Sequence, residues 1–86
     1  MRVTRQVIVD RLSTYLHGEA ELDELVDWAE DALVEGEFEE SEVETLAGVV
    51  ARLGVADMRA FGLTWQDCQQ MLRRLGYAAR VELAPA

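Results

Sequence analysis

The sequence predicts a mostly α-helical protein, a small bundle of three to four helices, with one short C-terminal β-strand as the candidate exception, in a single domain spanning residues 1–86. Three observations predict it. Apolar residues recur at spacings of three and four in four separate segments, those segments end on glycines, and the period changes to two only after Gly76.

The first segment runs from Thr4 to His17. Ile8, Leu12, Tyr15 and Leu16 form its apolar stripe, and Gly18 follows where a helix C-terminus favours glycine. The β-branched run Val7-Ile8-Val9 weakens its first turn. The second spans Glu21 to Glu35. Leu22, Leu25, Val26, Ala29, Ala32 and Leu33 share one face, Glu24, Asp27, Asp31 and Glu35 the opposite one, and Gly36 closes it.

The third segment opens on Ser41-Glu42-Val43-Glu44, which fits a capping box with Ser41 as N-cap and Glu44 at the third helical position. Its expected stripe is Val43, Leu46, Ala47, Val50 and Leu53, and Gly54 ends it. Gly48 inside it costs about 1 kcal/mol relative to Ala and reads as a point of close helix contact. After a connector over 55–63, Thr64 is the expected N-cap of the fourth segment. Asp67 lies in that segment's first turn, and Leu63 and Cys68 stand at hydrophobic-staple positions. Trp65, Cys68, Met71, Leu72 and Leu75 form the fourth stripe, with Arg73 and Arg74 in the last turn and Gly76 as the C′ glycine. Tyr77, Ala79, Val81 and Leu83 then alternate with polar or small residues as a strand would. That strand can pair with an extended N-terminus, pair with another chain to make a homodimer, or stay an unpaired tail.

A chain of 86 residues buries only about 60–65% of its unfolded surface, so its core is small. No apolar run approaches the roughly 18 residues of a membrane span, and Arg2, Arg5, Asp10 and Arg11 interrupt any secretory h-region. With a lone cysteine, Cys68, a cytoplasmic location is the expectation.

Charge is distributed unevenly. The net charge is −9, and the stretch Gly18–Gly48 carries thirteen carboxylates with no Lys, Arg or His. The eight arginines lie outside it, at 2, 5 and 11 and at 52, 59, 73, 74 and 80. Asp23/Asp27, Asp27/Asp31 and Asp31/Glu35 are like-charged pairs four apart, each mildly destabilising on a helix.

Motifs for chemistry are scarce. There is no GxGxxG or GxxxxGK[ST] phosphate loop, no EF-hand order of acids, no Glu-x-x-His pair and no His/Cys cluster, so no cofactor or metal is expected. His17, at a helix end, reads as a partner of free carbonyls, and Cys68, on an apolar stripe, as a buried inert thiol. The expectation is therefore not an enzyme. A helix-turn-helix reading of Leu63–Tyr77 founders on the anionic total, since DNA binding needs clustered cations, so no direct nucleic-acid partner is expected.

The stretch "LSTYLHGEAELDELVDWAEDAL", Leu12 to Leu33, resembles a "YLxGE…ELxxWA" phrase in small bacterial helical proteins, some grouped with toxin-immunity proteins. The resemblance covers about a quarter of the chain, transfers no site residue, and implies an immunity or antitoxin role.

The acidic run admits two readings: a face that only solvates, or a negative field that steers a cationic partner. On the second, the protein is a binding module for a basic protein surface, a nuclease-like toxin being one such target. The expected contact residues are Glu24, Asp27, Asp31, Glu35, Glu39 and Glu40, with Trp28 as a bordering apolar anchor.

Overall fold

The computed structural model describes residues 1–80 and 85. Among these the order is β1 (Arg2–Val3), α1 (Arg5–Leu16), α2 (Leu22–Glu35), β2 (Glu37–Phe38), a 3-10 turn over Glu40–Glu42, α3 (Val43–Gly54) and α4 (Trp65–Arg74). The small helical bundle is the fold the periodicities predict.

Helix ends follow local chemistry. Thr4 caps α1, its Oγ1 accepting from the Val7 amide at 3.3 Å. The run Val7-Ile8-Val9 is helical because Ile8 is fully buried, so packing outweighs its weak propensity. Gly18 takes φ of 75°, and the amides of Gly18 and Glu19 donate to the carbonyls of Tyr15 and Thr14, a complete Schellman motif. Gly76, at φ 86°, repeats it after α4, with Gly76 donating to Arg73 and Tyr77 to Leu72. Thr64 and Asp67 form a reciprocal capping box at the start of α4.

The capping box expected at Ser41 does not form. Residues 40–42 make a 3-10 turn, α3 begins at Val43, and its N-cap Glu42 makes no side-chain cap bond. The Glu42 carboxylate instead pairs with Arg5. In α3, Val49 is buried with Leu46, Val50 and Leu53 while Val43 is exposed.

The N-terminal strand is real but has another partner than the C-terminal segment. β1 and β2 pair in parallel, Arg2 with Glu37 and Val3 with Phe38, with the α1–α2 hairpin as the crossover that parallel strands require. Glu37 donates to the Met1 carbonyl and Glu39 to that of Val3. Arg2 closes on Glu39 at 3.2 Å beside the fully buried Val3. Residues 77–80 are not strand, and residues 81–84 of the expected alternation lie outside the described residues.

Gly36 is where this crossing is tightest. Its φ of −74° would suit any residue, but a Cβ there would lie 2.2 Å from the Ala32 carbonyl oxygen and 2.8 Å from Val3 Cγ2. Gly48 is also approached, though by a side chain rather than a helix: a Cβ would come within 3.1 Å of Arg74 Nη2.

The core is one cluster to which every helix contributes: Ile8 and Leu12 from α1, Leu25, Trp28, Ala29 and Ala32 from α2, Leu46, Val49, Val50 and Leu53 from α3, and Cys68, Met71 and Leu72 from α4. Each fully buried Leu or Ile contributes about 1.5–3 kcal/mol. Arg52 ties the 55–63 connector to α4 by donating to the Gly62 carbonyl at 2.9 Å and to Asp67 Oδ2 at 3.2 Å.

Two outcomes follow for stability. Gly36→Ala should cost about 3 kcal/mol or more because a backbone oxygen blocks the methyl, against about 1–2 kcal/mol for Gly18→Ala, whose penalty is conformational alone. Urea unfolding of the two variants checks this, and the reverse order would contradict it. The Asp67 carboxyl is held below its ordinary range by hydrogen bonds from the Thr64 amide and hydroxyl, with Arg52 assisting against a small burial effect. Its stabilisation is therefore complete above the ordinary carboxylate value and lost as pH falls below about 4. Asp67→Asn should destabilise the protein at neutral pH, and the gap to wild type should narrow in urea titrations at acid pH.

Candidate functional site: the acidic face of α2

A helix locked to a core on one side presents the other as a rigid plate. In α2, Leu25, Val26, Trp28, Ala29 and Ala32 are buried, while Glu24, Asp27, Asp31 and Glu35 are exposed on the far side with Asp23 and Glu30 flanking them. Asp23 and Glu24 sit in the first turn, where the helix dipole favours them. Asp27, Asp31 and Glu35 lie further along, with like charges four residues away and no such compensation.

The ion pairs do not reach this face. Among the described residues the salt bridges are Arg2–Glu39, Arg5–Glu42 and Arg52–Asp67, none of which includes an α2 acid. Arg11 borders this face. Its guanidinium stands 5.3 Å from the Trp28 ring centroid, and it shares a small cleft with Glu24 without ion-pairing it. The face is thus edged by one arginine at its Glu24 end and open along Asp27, Asp31 and Glu35.

The remaining expected contact residues are placed differently. Trp28 is 7% exposed and belongs to the core under Arg11, so it offers a partner almost no surface. Glu39 is half-buried and paired with Arg2. Glu40 is exposed on the 3-10 turn and lines a shallow pocket with Arg2, Glu37, Phe38, Glu39 and Ser41, beyond the end of α2.

Two other apolar residues of α2 are exposed. Leu33, expected in the core, is 44% exposed, with one methyl close to Gly54 of α3. Val34 is 84% exposed. At 100° per residue it falls between Glu30 and Asp27 on the helix circumference, within the acidic face. A valine among carboxylates breaks the polar pattern and was the available signal.

His17 and Cys68 behave as their positions imply. Ser13 Oγ lies 3.3 Å from His17 Nδ1, a contact that the four-residue spacing could have revealed. The same nitrogen is 2.7 Å from the Ser13 carbonyl oxygen, which can only accept, so Nδ1 carries the proton and cannot take one from Ser13. Cys68 is buried, and burial, with Asp67 beside it, pushes its thiol pKa up, away from reactive thiolate. Among the described residues no group of three or more His, Cys, Asp or Glu side chains is placed to hold a metal ion. No helix among them is long and apolar enough to cross a membrane.

No family model matches this chain, and no curated protein or solved structure matches it.

Replacing Asp27 and Asp31 together by Asn should stabilise the protein by about 1 kcal/mol at low ionic strength, because Asn and Asp have similar helix propensities and all three repulsive pairs, Asp23/Asp27, Asp27/Asp31 and Asp31/Glu35, are relieved. The gain should vanish in high salt, where exposed charges are screened. Urea unfolding at two salt concentrations measures it, and a loss of stability at low salt would show that these acids have cationic partners.

Proposed function

We propose that this protein is a non-enzymatic binding module for a basic protein surface, engaged through the exposed face of α2. The observation that carries the reading is the unpaired state of Asp27, Asp31 and Glu35 beside an exposed Val34, in a chain whose ion pairs are all made elsewhere among the described residues. Retaining repulsive neighbours on a rigid helix costs stability, and a cationic partner recovers that cost on binding.

The mechanism is electrostatic steering followed by apolar seating. The negative field accelerates encounter with a cationic surface, by about one to three orders of magnitude in favourable cases. Val34 and the exposed part of Leu33 then supply the contact that excludes water, while the core behind Trp28 holds the helix so that little ordering is needed on docking. An inhibitor of a nuclease-like toxin, covering its nucleic-acid site, fits this chemistry, because such a site is cationic. The likeness of residues 12–33 to immunity-type helical proteins points the same way. A cytoplasmic setting accords with the buried reduced thiol of Cys68.

Affinity purification from the native host at low salt, followed by binding kinetics, tests the reading. The captured partner should carry a basic surface, and its association rate should fall steeply with salt. The Asp27→Asn, Asp31→Asn variant should lower that rate, and Val34→Ala should mainly hasten dissociation. Salt-insensitive binding, or full binding by the neutralised face, would reject it.

A further inference from the structure

A groove lies on the other side of the chemistry. Val9, Ser13, Leu16 and His17 of α1 and its C-cap, Trp65 and Leu72 of α4, and the segment 77–80 enclose about 540 Å³. Ligand pockets typically measure about 300–1,000 Å³. In a chain with seventeen carboxylates, the described residues lining this groove include none, and the one formal charge among them is that of Arg80.

We infer that this groove binds a small carboxylate with an aromatic or aliphatic body. Leu72 and the half-buried Val9 and Leu16 provide apolar surface. Trp65, expected in the core, is instead 39% exposed at the first position of α4, where its indole forms a wall. An aromatic wall over aliphatic surface accepts a flat or linear apolar body. The Arg80 guanidinium matches a carboxylate at the groove's edge, and the Ser13 hydroxyl and Trp65 Nε1–H add donors. The His17 ring has Nδ1 committed to the Ser13 carbonyl, which leaves Nε2 as the ring atom available to a ligand. The Tyr77 hydroxyl donates to Gln6 Oε1 at 3.0 Å and so positions the segment that carries Arg80. A lining without a carboxylate among the described residues spares a bound anion the repulsion it would meet elsewhere on this acidic surface. The inference is independent of the α2 face, and neither depends on the other.

The test is a titration of the full chain, followed by ¹H–¹⁵N correlation spectra, with hydrocinnamate as probe. Its neutral amide, acetate and phenethylamine serve as controls. Hydrocinnamate should give saturable shifts of the Trp65 indole and of the Leu72 and Ala79 amides, with low-millimolar affinity as its size implies. The amide should bind about tenfold more weakly, as should hydrocinnamate to Arg80→Gln, for loss of one charge-assisted contact. Acetate lacks the body and phenethylamine the charge, and neither should saturate. Arg80 is exposed on irregular chain, so its replacement leaves the core intact. Absence of saturable shifts, shifts confined to another surface, or equal affinity of acid and amide with no effect of Arg80→Gln would each overturn the assignment.

Discussion

The allocation of a few guanidinium groups governs this molecule. Eight arginines face seventeen carboxylates, so most acids must go without a partner, and the fold decides which. The arginines that make ion pairs serve as joints between elements. Arg2 and Arg5 fasten the N-terminus to the acids that follow β2, and Arg52 fastens the connector to the start of α4. Arg11 covers Trp28, and Arg74 lies against Gly48. Each spends its charge on architecture, and the deficit falls on the solvent side of α2. Exposed pairs of this kind add little stability singly, so their placement matters more for the field they leave than for the energy they contribute.

The same joints give the acidic face its rigidity. β1 enters beside β2 only because Gly36 lets the chain pass Val3 without a methyl in the way. That crossing fixes the end of α2, while Leu25, Trp28, Ala29 and Ala32 anchor its length in the shared core. A face so held presents its carboxylates in a fixed array, which suits recognition of an equally fixed cationic surface.

Helices and their ends were legible because local rules decide them. Gly18, Thr64 and Gly76 act within a turn of their own positions, and the structure places each cap as the sequence implies, while the Thr4 cap and the Asp67 half of the capping box are seen only in the structure. What failed depended on distant partners. Ser41 has a capping pattern, yet residues 40–42 form a 3-10 turn and α3 starts at Val43, with Glu42 paired to Arg5, far away in sequence. The β1–β2 pair is two residues long, too short to show a period. Periodicity identified the acidic face but not its fine structure. It could not say whether Leu33 or Val49 lies deeper, since the rotation of a helix about its axis is set by the neighbours it packs on. For that reason Trp28 lies in the core while Val34 is exposed, and Glu39 is paired with Arg2, which the N-terminal strand brings to it.

The local potential of α2 is the quantity on which the functional reading stands, and it can be mapped without knowing any partner. Paramagnetic relaxation of backbone amides by a cationic nitroxide, compared with a neutral one of equal size, reports the excess of cation near each residue. The account predicts the largest excess along Asp27 to Glu35, collapsing when salt shortens the screening length. A uniform excess over the surface, or a maximum away from α2, would contradict it.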